Sequence, residues 1–194
     1  MAAIVDPPLA SKLRTLGTVA SLEEFEARFG DDRVEVIDGV VVELPMPHWN
    51  HGRVCFKVAS RIGGWIDDRD LGFVATNDTF VRLRSDPLLV RGPDLLFISY
   101  ARLPRGSEPR GVLCAPPELA VEVRSPSDTW IELRLKASQY LEAGVDVVLV
   151  LDPDSRSIEA FRKGIDPVRF DAEGILEIPD VLPGFTVSVA KLFE

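Results

Sequence analysis

Two carboxylates stand inside segments that should be uninterrupted apolar strands. Glu122 lies within Leu119-Ala120-Val121-Glu122-Val123, and Asp94 opens Asp94-Leu95-Leu96-Phe97-Ile98 directly after Pro93. Burying an unpaired carboxylate costs several kcal/mol, comparable with a domain's whole net stability of about 5–15 kcal/mol. Each acid therefore needs a basic side chain or a metal ion beside it. Strand side chains alternate, so Glu122 and Arg124 are expected on one face and Val121 and Val123 on the other. Lys136 can reach the same place from the next helix, where Glu132, Lys136 and Gln139 or Tyr140 share a face at spacings of three and four. Each residue also has a plainer reading. Asp94 is a turn former after proline, Glu122 half of a buried salt bridge with Arg124 or Lys136, and Tyr140 a core side chain.

The elements that must position these residues follow from capping and periodicity. Ser21 with Glu24 gives the S-x-x-E start of a short helix carrying Leu22, Phe25 and Phe29 and stopped by Gly30. The β-rich runs 34–37 and 40–44, separated by Asp38-Gly39, predict a tight hairpin. Asn50 is expected to cap a helix to about Asp68, with Val54, Val58, Ile62, Trp65 and Ile66 on one stripe and Gly63-Gly64 weakening its end. Strands are expected at 72–76, 79–84, 94–99 and 118–124. A helix capped by Ser127 or Asp128 then runs through Ala143 and is closed by Gly144. It feeds the uniformly apolar run 145–151. Strand, helix and fully apolar strand in that order predict a right-handed crossover within a mixed α/β sheet with buried strands. Beyond the turn at 152–155, segments near 156–162, 167–170 and 175–178 read as β. A Pro183-Gly184 turn, a short strand and a small terminal helix close the chain.

With 46% hydrophobic and 27% charged residues, the 194-residue chain has the balance of a globular protein, and its length suits one domain with residues 1–20 as an extended arm. The net charge of −9 argues against a protein that coats nucleic acid or anionic membrane without specificity. That charge is uneven: −5 over residues 1–52, +2 over 53–141 and −6 over 142–194. The middle segment holds Asp94, Glu122 and Lys136 together with Arg82, Arg84 and Arg91 as candidate phosphate contacts. Residues 1–9 lack a basic n-region and are broken by Pro7-Pro8, and no apolar run is long enough to span a bilayer, so a cytoplasmic location and no membrane partner are expected. Cys55 and Cys114 lie far apart and read as reduced thiols used as small apolar residues. His48 and His51 have H-x-x-H spacing without a second pair, so no histidine-bound zinc is expected. There is no phosphate-binding glycine loop and no G-x-S-x-G elbow.

Pro93-Asp94, Glu122-Val123-Arg124 on the next strand and Lys136 on the helix after it resemble the PD-(D/E)XK nuclease superfamily and, more closely, the Uma-two family of restriction endonucleases. The resemblance runs from about Val34 to Leu192. It includes Glu35-Val36-Ile37-Asp38-Gly39, His51-Gly52, Arg91-Gly92-Pro93-Asp94, and the stretch from Val121 through Ser125-Pro126-Ser127-Asp128. It continues through Tyr140-Leu141-Glu142-Ala143-Gly144-Val145, Leu151-Asp152-Pro153 and Leu182-Pro183-Gly184-Phe185.

What the resemblance implies is a restriction-endonuclease-like α/β core, a mixed central sheet flanked by helices with extra β-hairpins at both ends. It also implies metal-assisted phosphodiester hydrolysis of DNA by a homodimer. Asp94, Glu122 and the backbone carbonyl of Val123 would hold Mg²⁺ or Mn²⁺, hard ions that take oxygen ligands and activate water, with Glu35 as a further acid. Arg124 stands where the superfamily has lysine. Arginine stays protonated and cannot act as a base, so the resemblance moves the lysine role to Lys136. Arg124, His51, Arg91 and Gln139 are the expected substrate-side or supporting residues. The competing reading is a non-catalytic interaction or regulatory protein that keeps the fold, motivated by the acidic ends and the missing strand lysine. Binding to DNA, if it occurs, should be modest, metal-dependent and salt-sensitive.

Overall fold

The computed structural model describes residues 13–194. Residues 1–9, read above for signal character, and most of the arm expected over 1–20 lie outside the described residues. Strand β1 (Thr15–Thr18) precedes helix α1 (Leu22–Phe29), where the Ser21 hydroxyl accepts from the Glu24 N–H at 3.2 Å. Strands β2 (Val34–Ile37) and β3 (Val40–Glu43) form the expected hairpin, with Asp38 and Gly39 both at positive φ. Helix α2 (Trp49–Val58) passes through a π turn at Ala59–Gly63 into α3 (Gly64–Asp67). The glycine pair thus widens the helix without ending it. Its N-cap is His48, with no side-chain cap, in place of Asn50.

Strands β4 (Gly72–Thr76) and β5 (Val81–Ser85) are followed by β6 (Leu88–Arg91), a segment to which the sequence reading assigns no element. Leu-Leu-Val-Arg is too short to show alternation, and Pro87 and Gly92-Pro93 around it imitate a loop. Then come β7 (Leu95–Ser99), β8 (Leu119–Val123), α4 (Trp130–Glu142) and β9 (Val147–Asp152). The cap of α4 is Thr129, not Ser127 or Asp128. Its hydroxyl accepts from the Glu132 N–H while Glu132 accepts from the Thr129 N–H, a reciprocal capping box. Asp128 instead closes the preceding turn by accepting from the Ser125 N–H. Strands β10 (Ser157–Arg162), β11 (Ile165–Phe170), β12 (Ile175–Glu177) and β13 (Thr186–Ser188) lead to a terminal 3₁₀ turn at Val189–Leu192.

Two sheets carry the architecture. One has the order β1-β3-β2-β6-β5 and is antiparallel throughout. The other, β11-β10-β9-β8-β7-β4, is mixed: β8 and β9, joined through α4, are parallel and every other pair is antiparallel. Strands β12 and β13 pair separately. The result is a mixed central sheet with helices on both faces and hairpins toward both ends. None of the described helices is long and apolar enough to cross a membrane.

Alternation along β8 decides where the polar residues go. Leu119, Val121 and Val123 pack with Val54, Val58, Ile62 and Ile66 of the α2–α3 rod. Ala120 packs on the opposite face with Leu133, Ala137 and Tyr140 of α4. Glu122, two residues on from Ala120, must therefore face α4. In the first sheet, Val34, Val36, Leu88 and Val90 are buried against Phe25 of α1. The same alternation turns Glu35 and Arg91 away from α1, toward α4.

Candidate active site

Glu122 is buried, and α4 supplies both of its partners. Lys136 Nζ donates to Oε2 at 2.9 Å and the Tyr140 hydroxyl donates to Oε1 at 2.8 Å. The same Lys136 Nζ lies 2.9 Å from Glu35 Oε1 on β2, so one ammonium bridges carboxylates from two sheets. Glu35 is further held by Arg91 at 2.5 Å and by the Gly92 N–H at 3.3 Å. Gln139 Oε1 accepts from Arg91 Nη2 at 2.7 Å and from Nε at 3.1 Å.

These contacts separate the two acids electrostatically. Burial alone would raise Glu35, but the Lys136 and Arg91 charges overcome it and hold that carboxyl down at about 2. Burial also raises Glu122, where Lys136 opposes it only in part and the neighbouring Asp94 and Glu35 charges add to it, leaving the group at about 7. Burial works against a charged Lys136, but the two carboxylates raise its pKa above the ordinary lysine value. Two buried acids sharing one cation thus settle at different protonation levels, the pattern of an acid–base site.

Asp94 sits one residue before β7 and caps the ladder that strand leaves incomplete. The Val123 N–H donates to Asp94 Oδ2 at 2.7 Å. On the other side, His51 Nε2 of α2 lies 3.3 Å from Asp94 Oδ1, and Cys55 Sγ lies 3.5 Å from His51 Nδ1. One ligating atom from each of His51, Cys55 and Asp94 falls within 4.8 Å of the other two, a group able to hold a metal ion. The hydrogen bond to Asp94 and the Asp94 and Asp78 charges raise the pKa of His51, against the lowering effect of its burial.

Asp94, Glu122, Val123 and Lys136 line one small cavity of about 80 Å³, with His51, Asp78 and Asp128 beside them. Asp78 reaches it through the left-handed pair Asn77-Asp78, and only glycine fits at position 92 behind it: a Cβ there would come within 2.6 Å of the Asp78 carbonyl oxygen. The donor set suits a hard divalent ion. Two carboxylates and a backbone carbonyl would offer it oxygen ligands, and burial, with the Asp94 and Glu35 charges beside it, raises Glu122 in a way a cation would relieve.

A family model, Uma2, described as "Putative restriction endonuclease", matches residues 20–190. The chain belongs to the Uma2 family. A crystal structure titled as a "putative nuclease belonging to DUF820" from Anabaena variabilis ATCC 29413 is similar in fold, with a TM-score of 0.78 and 19% identity over 89% of this chain and 97% of that one. No curated protein matches.

Of the residues the sequence reading selected in this Uma2 protein, Asp94, Glu122, Val123, Lys136 and His51 converge on the cavity. Glu35, Arg91, Gln139 and Arg124 are held by other partners. Glu35 lines a neighbouring cavity with Glu122 and Lys136 and is engaged by Arg91, Lys136 and the Gly92 N–H, so it anchors the lysine. Arg91 was expected to meet phosphate, but it is 0% exposed and engaged with Glu35 and Gln139, because β6 turns it inward. Gln139 accordingly meets Arg91, not the cavity. Arg124 lies past the end of β8 and bonds Asp152 at 3.0 Å and Asp154 at 3.4 Å, away from Glu122. Arg84, another candidate phosphate contact, pairs with Asp38. The sequence reading takes Cys55 as a small apolar thiol and says nothing of Asp78 and Arg33 at the site. Cys55 carried a signal, one helical turn after His51; Arg33 and Asp78, ion-paired at 3.1 Å across the cavity wall, are brought together only by the fold.

Proposed function

We propose that the chain is a divalent-metal-dependent DNA endonuclease. Its metal ligands are Asp94, Glu122 and the Val123 carbonyl, and Lys136 is the positioned cation. The observation that carries this reading is the convergence of these residues on one cavity, with the Lys136 ammonium fixed between Glu122 and Glu35. When bound, Mg²⁺ or Mn²⁺ lowers the pKa of a coordinated water and offsets charge developing on the phosphoryl oxygens. The chain's own residues do the rest. Lys136, kept protonated by two acids, faces the scissile phosphate as an electrostatic stabiliser. His51 orients Asp94 through Oδ1, while Glu35, Arg91 and Gln139 form the relay that fixes the lysine. Arg33, lining the cavity and partly exposed, replaces Arg91 and Arg124 as the phosphate contact on this reading.

Asp94→Asn is the direct test. Wild-type protein should cleave DNA in Mg²⁺ or Mn²⁺ and not in a chelator, and the variant should bind the ion at least about 10-fold more weakly and lose cleavage. Failure of the wild type to bind either ion, or cleavage by Asp94→Asn at the wild-type rate, would overturn the reading.

The homodimer belongs to the same reading, because two sites address two strands. Its support is β11, an edge strand of the six-stranded sheet whose Ile165 and Val168 are exposed. Pro167 lacks the N–H that a continued ladder would need, so on this reading the second copy is met through the exposed Ile165 and Val168 side chains and not by extending the sheet. In sedimentation the wild type should be a dimer and Ile165→Lys a monomer; a monomeric wild type would refute this interface.

A further inference from the structure

The cavity in front of Asp94 holds donors that the hydrolytic reading does not use as ligands. His51 and Cys55 stand four residues apart on α2, so they share a face of the helix, and Asp94 meets them from the start of β7. Around a tetrahedral zinc ion with bonds of about 2.0–2.3 Å, neighbouring ligand atoms sit roughly 3.3–3.6 Å apart. Cys55 Sγ lies 3.5 Å from His51 Nδ1 and Asp94 Oδ1 lies 3.3 Å from His51 Nε2, separations of that size but to the two different ring nitrogens. A single ring nitrogen can ligate, so closing the set is a matter of side-chain rotation within a group already gathered inside 4.8 Å.

We propose that His51, Cys55 and Asp94 bind a thiophilic first-row divalent ion, Zn²⁺ above all, at a site chemically distinct from the oxygen set of Asp94, Glu122 and Val123. Imidazole, thiolate and one carboxylate form the borderline-soft donor set that zinc and cobalt prefer and that magnesium avoids. All three residues line a cavity of about 300 Å³, which leaves room for water or an outside ligand at the fourth position. Asp78 lines the same cavity, ion-paired there with Arg33. Without metal the thiol stays protonated, since burial and the Asp94 charge raise its pKa; the entering ion takes the place of that proton, which leaves to solvent. Both sets contain Asp94, so a thiophilic ion withdraws this carboxylate from the hard-ion site. Binding at this site does not depend on the chain cleaving DNA.

Cobalt alone, added to the full chain, is the probe. One equivalent of Co²⁺ should produce a thiolate-to-cobalt charge-transfer band that equimolar Zn²⁺ bleaches. The band should vanish in Cys55→Ser and persist in Cys114→Ser and in Glu122→Gln. Zn²⁺ affinity, read by competition with a chromophoric chelator, should fall at least about 10-fold in Cys55→Ser and in His51→Gln. Circular dichroism checks that each variant is folded, and the histidine variant keeps the test decisive if the serine variant is not. No thiolate band in the wild type, a band surviving in Cys55→Ser, or one lost in Cys114→Ser would overturn the proposal. Loss of the band in Glu122→Gln would do so too, by placing the ion in the oxygen set. Absence of DNA cleavage would leave every one of these readings unchanged.

Discussion

Glu122→Gln is expected to lower Mg²⁺-dependent DNA cleavage by at least about 10³-fold while raising stability above neutral pH. On the nuclease reading, the first effect follows from removing an anionic ligand from the ion, which would be left with one carboxylate and a neutral carbonyl. The second follows from linkage. Burial raises the Glu122 carboxyl to about 7, above its unfolded value of 4.5. Its contribution to stability is therefore fully present below about 4.5 and is lost as pH rises through about 7. Above that pH the folded protein carries a buried charge that only half of a shared ammonium balances. Glutamine has no charge to bury: its oxygen can accept from Lys136 and its amide can donate to the Tyr140 oxygen. The gain should be roughly 1 kcal/mol at pH 5 and roughly 3 kcal/mol at pH 8. Thermal melts at the two pH values read it, and a variant equally destabilised at both would show that Glu122 is a purely structural half of a salt bridge.

Lys136→Met should be the most destabilising single change at the site, by roughly 3–5 kcal/mol at pH 8. It leaves Glu35 and Glu122 buried with Arg91 as the remaining cation of the relay, and it also removes the group that keeps Glu35 at about 2. Glu35's own contribution runs opposite to that of Glu122: its lowered carboxyl stabilises the fold above about 4.5 and ceases to do so as pH falls through about 2. Without the lysine that contribution shrinks at both pH values, and the penalty should be smaller at pH 5, where Glu122 is protonated, than at pH 8. The double variant Lys136→Met, Glu122→Gln should recover much of the loss, because the two positions are directly coupled. Urea unfolding measures all three. A Lys136→Met chain within about 1 kcal/mol of wild type at pH 8 would show that the ammonium does not hold the two acids together.

How much of this was legible beforehand varies with the kind of signal. Glu122, Asp94 and Lys136 were visible because a carboxylate inside an apolar strand has no inexpensive explanation, and strand alternation plus helical spacing brings such residues to one face. The hairpin at Asp38-Gly39 and the parallel β8–β9 pair were visible for the same local reasons. Strand β6 was not, since four residues between prolines show no period, and missing it put Arg91 at the surface when it is fully buried. Arg124 was misplaced because alternation holds only while the strand lasts, and β8 ends at Val123. Helical spacing allows Tyr140 as a core side chain, and it is fully buried, yet its hydroxyl also meets Glu122. Cys55, Arg33 and Asp78 depend on how α2 and the Asn77-Asp78 turn approach Asp94, which is tertiary information without a local pattern.

The bridge from Glu35 through Lys136 to Glu122 also sets an order of assembly. It ties the first sheet to the second through residues a hundred positions apart, and contacts of such separation form late. During synthesis Glu35, Asp94 and Glu122 emerge before the helix that carries their cation. A chain still being made, or one with either sheet open, therefore has the acids without the charge that sets their protonation. On the nuclease reading, the capacity to cut DNA therefore switches on only with the finished fold.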